Sequence, residues 1–320
     1  MILVAGAGAI GGWLGARLAA AGHDVTLLGR PGLASAVASG GLRVSGHTTF
    51  AEDVPVITEP TGTYDTIWLT CKAHQTASLG AAVAPLLAPD GVLVTLQNGL
   101  GNAEKLARHV PADRIAVALT SHGVTVESPG RLRHAGTGMF QAGPAPQHAW
   151  NDAAGRAWQQ ADAAGLDPAR LEDTRAAVWT KAIVNAGINP VAALHGVPNG
   201  AVLERPEWLA LTDALVRESV LLAERARVKI TGDLVETTQA VLQGTAENRC
   251  SMLQDVEAGR PTEIEQITGR MVRLAETLLC PMPRSESVYG RIKDLETSYL
   301  GAEASEATAW AELQTIGTPV

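Results

Sequence analysis

The first eleven residues constrain the fold more than any other stretch of the chain. Met1-Ile2-Leu3-Val4-Ala5 runs directly into Gly6-Ala7-Gly8-Ala9-Ile10-Gly11, with Gly15 following. A short apolar strand, a Gly-x-Gly-x-x-Gly turn and the helical stretch Ile10 to Ala21 then lead to a second apolar run, Val25 to Leu28. In that order the glycines form a dinucleotide-binding fingerprint. Gly6 permits the tight turn, Gly8 lets backbone approach a pyrophosphate, and Gly11 lets helix and strand pack. Ala7, Ala9 and Ile10 complete the cofactor loop. The competing reading is a glycine-rich turn with no ligand.

The end of the second strand selects the dinucleotide. An NAD site places an acid there to hold the ribose 2′-hydroxyl. This strand ends Leu27-Leu28-Gly29-Arg30, and Asp24 precedes it. A guanidinium at Arg30 can pair bidentately with a 2′-phosphate, so the pattern predicts NADP(H). The alternative is an arginine simply exposed to solvent.

Thr66 to Cys71, Val92 to Leu96 and Ile115 to Leu119 are further apolar runs bounded by polar residues, each reading as a buried strand. Repetition of βαβ predicts an N-terminal doubly wound parallel sheet of Rossmann type. Leu132 to His134 and Met139 to Gln141 read as a hairpin closing that domain. After about residue 170 strand signals stop. Amphipathic stretches follow at 174–188, 206–227, 233–243, 247–258, 262–279 and 284–300. The fold class is therefore α/β followed by an all-α C-terminal domain, with residues 1–170 as the NADP-binding domain and residues 171–320 as a helical domain. The polar tail after Gly301 is expected to fray.

Composition narrows the function. With 46% hydrophobic and 18% charged residues the chain can bury a large core. A net charge of −8 argues against nucleic acid or an anionic membrane as partner. The three cysteines, Cys71, Cys250 and Cys280, are far apart, and no histidine pair has metal-ligand spacing. These features predict a metal-free protein of a reducing, cytoplasmic compartment. Residues 2–16 imitate a signal peptide but lack a basic start, and the uncharged stretch 182–203 contains asparagines and prolines that a membrane span tolerates badly.

Two of the five lysines sit in unusual places. Lys72 ends the third strand of the domain, at the edge where doubly wound sheets bind ligands. Lys181 lies on an apolar helix with Asn185 and Asn189 at i+4 and i+8, hence on one face, although Pro190 is expected to disturb the helix there. Lys181 is thus either a snorkelling surface group or a cleft residue, and the aligned amides favour the cleft. The cluster from Glu247 through Ser251 and Asp255 to Glu263 and Glu265 reads by pattern as two solvated helix ends, with Thr262 and Glu265 as a capping box.

Taken together, the glycine turn, Cys71-Lys72-Ala73, Gln97-Asn98-Gly99, Lys181 to Pro190, Pro198-Asn199-Gly200, Ser251 to Asp255 and Thr262-Glu263-Ile264 resemble, in order, the ketopantoate reductase (2-dehydropantoate 2-reductase) family from residue 1 to about 300. The resemblance implies an NADP-dependent oxidoreductase that reduces ketopantoate to (R)-pantoate, for pantothenate and coenzyme A biosynthesis, in a cleft between two domains. It implies Lys181 as the catalytic proton donor and Glu263 as the acidic residue that binds the substrate hydroxyl and helps orient the site. Asn185, Asn189 and Ser251 would bind substrate, Asn98 would meet both substrate and nicotinamide, and Arg30 and Lys72 would hold the cofactor. The partner is a small 2-keto acid, with a homodimer as a candidate assembly. His74 and His122 depart from the best-known members and are candidates to alter substrate choice. Three alternatives stand beside this reading: a reductase of another 2-keto acid, a 3-hydroxyacid dehydrogenase, and a catalytically idle NADP-sensing protein.

Overall fold

The computed structural model of the chain describes residues 1–301, so the tail expected to fray lies outside the described residues. Two compact units divide it. One comprises Met1–Gln97 and Gly101–Arg175, and the other comprises Asn98–Leu100 with the chain from Ala176 onward.

The first unit begins with β1 (Ile2–Ala5), α1 (Ala9–Ala20), β2 (Val25–Leu28) and α2 (Pro31–Gly40). There follow β3 (Leu42–Gly46), β4 (Phe50–Glu52), β5 (Val56–Ile57), β6 (Tyr64–Leu69), α3 (Thr76–Val83), β7 (Leu87–Thr95) and α4 (Asn102–Leu106). The unit closes with β8 (Ile115–Thr120), β9 (Gly123–Ser128), β10 (Arg131–Gly136), β11 (Phe140–Pro144), α5 (Asp152–Ala163) and β12 (Ala169–Arg170). An eight-stranded sheet has the order β12-β11-β8-β7-β6-β1-β2-β5. From β8 to β5 neighbours run parallel, while β11 runs antiparallel to β8. The central strands are buried on both faces, which is why Ile2–Ala5 and Ile115–Leu119 are continuous apolar runs.

A second sheet, β4-β3-β10-β9, had no counterpart in the sequence reading. Its strands alternate: Leu42, Val44, Leu132 and His134 are buried, while Arg43 and Arg133 are exposed. That pattern suits a sheet with one solvated face. Helix α1 packs against both sheets through small residues. A Cβ at Gly15 would come within 2.5 Å of Leu27 in the large sheet, and one at Gly12 within 2.8 Å of Leu132 in the small sheet.

The expected hairpin of residues 132–134 and 139–141 does not form. β10 pairs with β3 and β9, whereas β11 pairs with β8 and β12 in the large sheet. The burial patterns explain the separation: β10 alternates and needs only one covered face, but Phe140, Ala142 and Gly143 are all buried and need two.

The second unit is helical. Its elements are α6 (Thr174–His195, entering from the last residues of the first unit), α7 (Pro206–Arg225), α8 (Leu234–Gly244), α9 (Ser251–Glu257), α10 (Arg270–Thr277) and α11 (Pro283–Leu300). A π-helical turn, Glu265–Gly269, leads into α10. Pro190 sits inside α6 and does not end it. Val191, Ala192 and Ala193 beyond it are buried in an apolar cluster with Val202, Leu215 and Leu242, so tertiary packing overrides the lost hydrogen bond. Asn189 therefore keeps its helical place below Asn185.

Candidate functional site

In the first unit the candidate cofactor residues collect at the carboxyl ends of three adjacent parallel strands, β6, β1 and β2. The turn after β1 is drawn tight by the Gly6 and Ala7 N–H groups, both donating to Leu28 O at 3.1 Å, and by Gly8 N–H to Gly6 O at 2.7 Å. Gly6 has φ +102°, and a Cβ on it would lie 2.4 Å from the Cys71 nitrogen. Only glycine fits there. Around Gly8, by contrast, a Cβ would meet nothing within 4 Å. Gly8 caps α1 with no side-chain hydrogen bond, and the helix carries no acid in its first turn. The first N–H groups of α1, from Ala9, Ile10 and Gly11, belong to the helix end that lacks intrahelical partners, and they begin beside that open space.

Arg30 lies on one side of this turn, exposed, as the residue preceding α2 at the end of β2. Lys72 lies on the other, partly buried, leading into the short 3₁₀ turn of Ala73–Gln75. The loop holding Lys72 is fixed by a network the sequence reading missed. Gln97 Nε2 donates to Cys71 O at 3.1 Å and to Thr76 Oγ1 at 2.8 Å, while its Oε1 accepts from Thr95 Oγ1 at 3.0 Å. Its signal in the sequence is the glutamine of Gln97-Asn98-Gly99.

In the second unit, Lys181 and Glu263 are neighbours, and Asn98 Nδ2 donates to Glu263 Oε2 at 3.3 Å. Burial lowers the Lys181 ammonium from the usual 10.5 to about 8, with the Glu263 carboxylate opposing part of that shift. Glu263 is itself buried. Asn185 is partly exposed and Asn189 buried one and two helical turns along from Lys181. Ser251, exposed, is the first residue of α9, and the preceding Cys250 links that helix to the asparagine turn through an Sγ donating to Asn189 O at 3.7 Å. Burial pushes the Cys250 thiol up to about 11, which keeps its proton available for that bond.

The residues around Glu263 do not form the expected capping box. Thr262 Oγ1 and N–H both donate to Glu296 Oε1 at 2.7 Å, and Lys293 Nζ holds the other oxygen at 2.7 Å. Glu265 accepts from Tyr289 Oη at 2.5 Å and pairs with Arg273. Both carboxylates are buried in polar pairs that join residues far apart in the chain, so no local capping pattern could reveal them. Of the two histidines singled out, His74 lies in the 3₁₀ turn after Lys72. His122 Nδ1 lies 3.0 Å from His134 Nε2, and His134 Nδ1 lies 3.0 Å from Thr48 Oγ1. Both rings lean on Trp13. Burial, then His134 and Arg17, lowers His122 to about 4, so it is a neutral packing group at physiological pH.

A glycine-turn sheet followed by a helical unit with a desolvated lysine beside a carboxylate and amides has the parts of a dinucleotide-dependent oxidoreductase. Comparison with known proteins specifies the family. The ketopantoate reductase PanE/ApbA family matches residues 2–147, and its C-terminal domain family matches residues 173–296. The chain belongs to the ketopantoate reductase family. The 2-dehydropantoate 2-reductase of Halobacterium salinarum is 37% identical over 281 residues, covering 86% of this chain and 91% of that protein. That of Archaeoglobus fulgidus is 34% identical over 275 residues, covering 86% and 90%. Among solved structures, a PanE/ApbA family ketopantoate reductase from Ralstonia eutropha superposes with a TM-score of 0.86 at 26% identity, covering 94% of this chain and all of that one. Among the described residues, no helix is long and apolar enough to cross a membrane.

The depressed lysine has a consequence for stability. Below pH 8 the ammonium is charged in both folded and unfolded chains, and folding bears its desolvation. Between about 8 and 10.5 the unfolded chain binds more protons than the folded one, so stability rises with pH. Lys181→Met is therefore predicted to be more stable than the native chain at pH 7, by on the order of 3–4 kcal/mol at about 1.4 kcal/mol per pKa unit. The gain should vanish above the unfolded-state pKa. Urea unfolding at pH 7 and pH 11 measures it, and an equal or smaller stability of the variant at pH 7 would refute the burial argument.

Proposed function

We propose that the protein is a 2-dehydropantoate 2-reductase, reducing ketopantoate to (R)-pantoate with NADPH in the cytoplasm. The observation that carries this reading is the lysine on α6, desolvated yet still protonated near neutral pH, set beside Glu263 and the Asn98 amide. Membership of the family and relatives named for that reaction support it.

The open space at Gly8, the uncapped start of α1 and the cations on both sides fit a dinucleotide. The Gly6–Gly11 turn would take the pyrophosphate, Arg30 the 2′-phosphate and Lys72 a further cofactor oxygen. Bound there, NADPH supplies the hydride. Reduction of a ketone builds negative charge on its oxygen, and Lys181 stabilises that charge and delivers the proton. Glu263 keeps the lysine protonated enough to act and accepts from the substrate hydroxyl. Asn98, Asn185, Asn189 and Ser251 supply amide and hydroxyl partners for the remaining hydroxyl and carboxylate groups.

These roles lead to four expectations. NADPH oxidation should be faster with ketopantoate than with pyruvate by about 10⁴ in kcat/KM, since a site built for a hydroxyl rejects analogues lacking it. Comparable values would leave only a general 2-keto acid reductase. Lys181→Ala should lose about 3–6 kcal/mol of transition-state stabilisation with NADPH affinity unchanged, and Lys181→Arg should restore little because a guanidinium holds its proton. In the native enzyme, kcat/KM for reduction should fall as pH rises through about 8, where the ammonium loses its proton, while the reverse oxidation should rise over the same range. A native kcat in Lys181→Ala would move the proton donor elsewhere. Finally, Arg30→Ala should weaken NADPH binding and barely touch NADH. Equal losses in titrations with both cofactors would remove the 2′-phosphate role.

A further inference from the structure

We infer that the π-helical turn Glu265–Gly269 is a positioning device for the reaction proposed above: it presents the Gln266 carbonyl to the Leu100 N–H, fastens the Asn98–Leu100 segment and so holds the Asn98 amide on Glu263. The inference rests on that functional reading for its kinetic effect, but not for the docking itself.

In an α-helix the Gln266 carbonyl would accept from the N–H four residues on, at Arg270. Here the ladder is shifted. Gly269 N–H reaches back five residues to Ile264 O at 2.9 Å, and Arg270 N–H bonds Ile267 O instead. Gln266 O accepts from Leu100 N–H at 3.1 Å. The approach is close enough to require glycine at the preceding position. Gly99 has φ +87°, and a Cβ there would lie 2.5 Å from Gln266 O. One residue earlier, Asn98 Nδ2 meets Glu263 Oε2 at 3.3 Å. The segment thus engages both ends of the four-residue span from Glu263 to Gln266, and it belongs to the helical unit although Gln97 and Gly101 on either side do not.

The turn is held open from below. Glu265, 3% exposed, is gripped by Tyr289 Oη at 2.5 Å and by Arg273 from the following helix. Tyr289 is half-buried and its hydroxyl is held protonated, pushed up by burial and by Glu265, so it remains a donor throughout the working pH range. π-Turns of this kind cost regular hydrogen bonding and recur at functional sites. The cost here is placed next to Glu263, where it sets an amide against the carboxylate.

The test is Gly99→Ala, alone and combined with Asn98→Ala. In the chain without substrate, amide exchange at Leu100 should accelerate in Gly99→Ala while amides of the α6 core keep their protection. In kinetics with ketopantoate and NADPH, Gly99→Ala should lower kcat by roughly 10- to 100-fold, as a misplacement near 1 Å does. Because the effect acts through Asn98, it should largely disappear in the Asn98→Ala background. Tyr289→Phe should loosen the same turn and give a smaller loss in the same direction, and it carries the comparison if Gly99→Ala does not fold. Unchanged exchange at Leu100, or losses that simply add in the double variant, would overturn the inference. If exchange accelerates but the native chain does not turn over ketopantoate, the docking stands and the substrate reading falls.

Discussion

A lysine largely withdrawn from water is the constraint around which the helical unit is arranged. An ammonium on an apolar helix destabilises the fold unless something compensates, and a nearby carboxylate compensates only in part. Complete neutralisation would return the pKa to that of an exposed lysine and make a poor donor at neutral pH; no compensation would leave an uncharged amine. Placing Glu263 close, and giving it the Asn98 amide as a further partner, leaves the lysine between those extremes, near 8.

The carboxylate then has to be held, and the structure spends several buried polar contacts on doing so. Thr262 is tied to Glu296 on α11, whose other oxygen Lys293 holds, and Glu265 to Tyr289 and Arg273. Glu263 lies between two residues that are each anchored to α11, so its backbone is fixed from both sides. Buried polar networks of this type specify one arrangement when every member is satisfied. That role differs from adding stability, and it suits the part proposed for Glu263 beside Lys181.

Much of the first unit was legible in the sequence because its signals are local. The glycine turn follows a strand and opens a helix within a dozen residues, and strands buried on both faces appear as unbroken apolar runs. The small sheet was not legible, since β3 and β10 meet across some ninety residues and each has only two inward-facing side chains. The hairpin expectation failed for the same reason: adjacency in sequence suggested a pairing that burial demand overrode. In the helical unit, the spacing of Lys181, Asn185 and Asn189 was visible as a helical face. Glu263 was not distinguishable by pattern from a solvated helix end, and only its likeness to a family motif singled it out.

Pro190 and the π-turn show where such reading runs out. Both are departures from regular helical hydrogen bonding, and local propensity predicts that both should end or weaken a helix. In α6 the buried residues beyond the proline supply enough packing to carry the helix through, which keeps Asn189 in line with Lys181. At Glu265–Gly269 the irregularity persists because its carbonyl has a partner outside the helix, at Leu100. In each case a backbone defect survives because tertiary contacts stabilise the one geometry that keeps an asparagine in place. Two of the amides marked by sequence spacing and motif, Asn189 and Asn98, thus depend on helix irregularities whose stability lies in contacts remote from them along the chain.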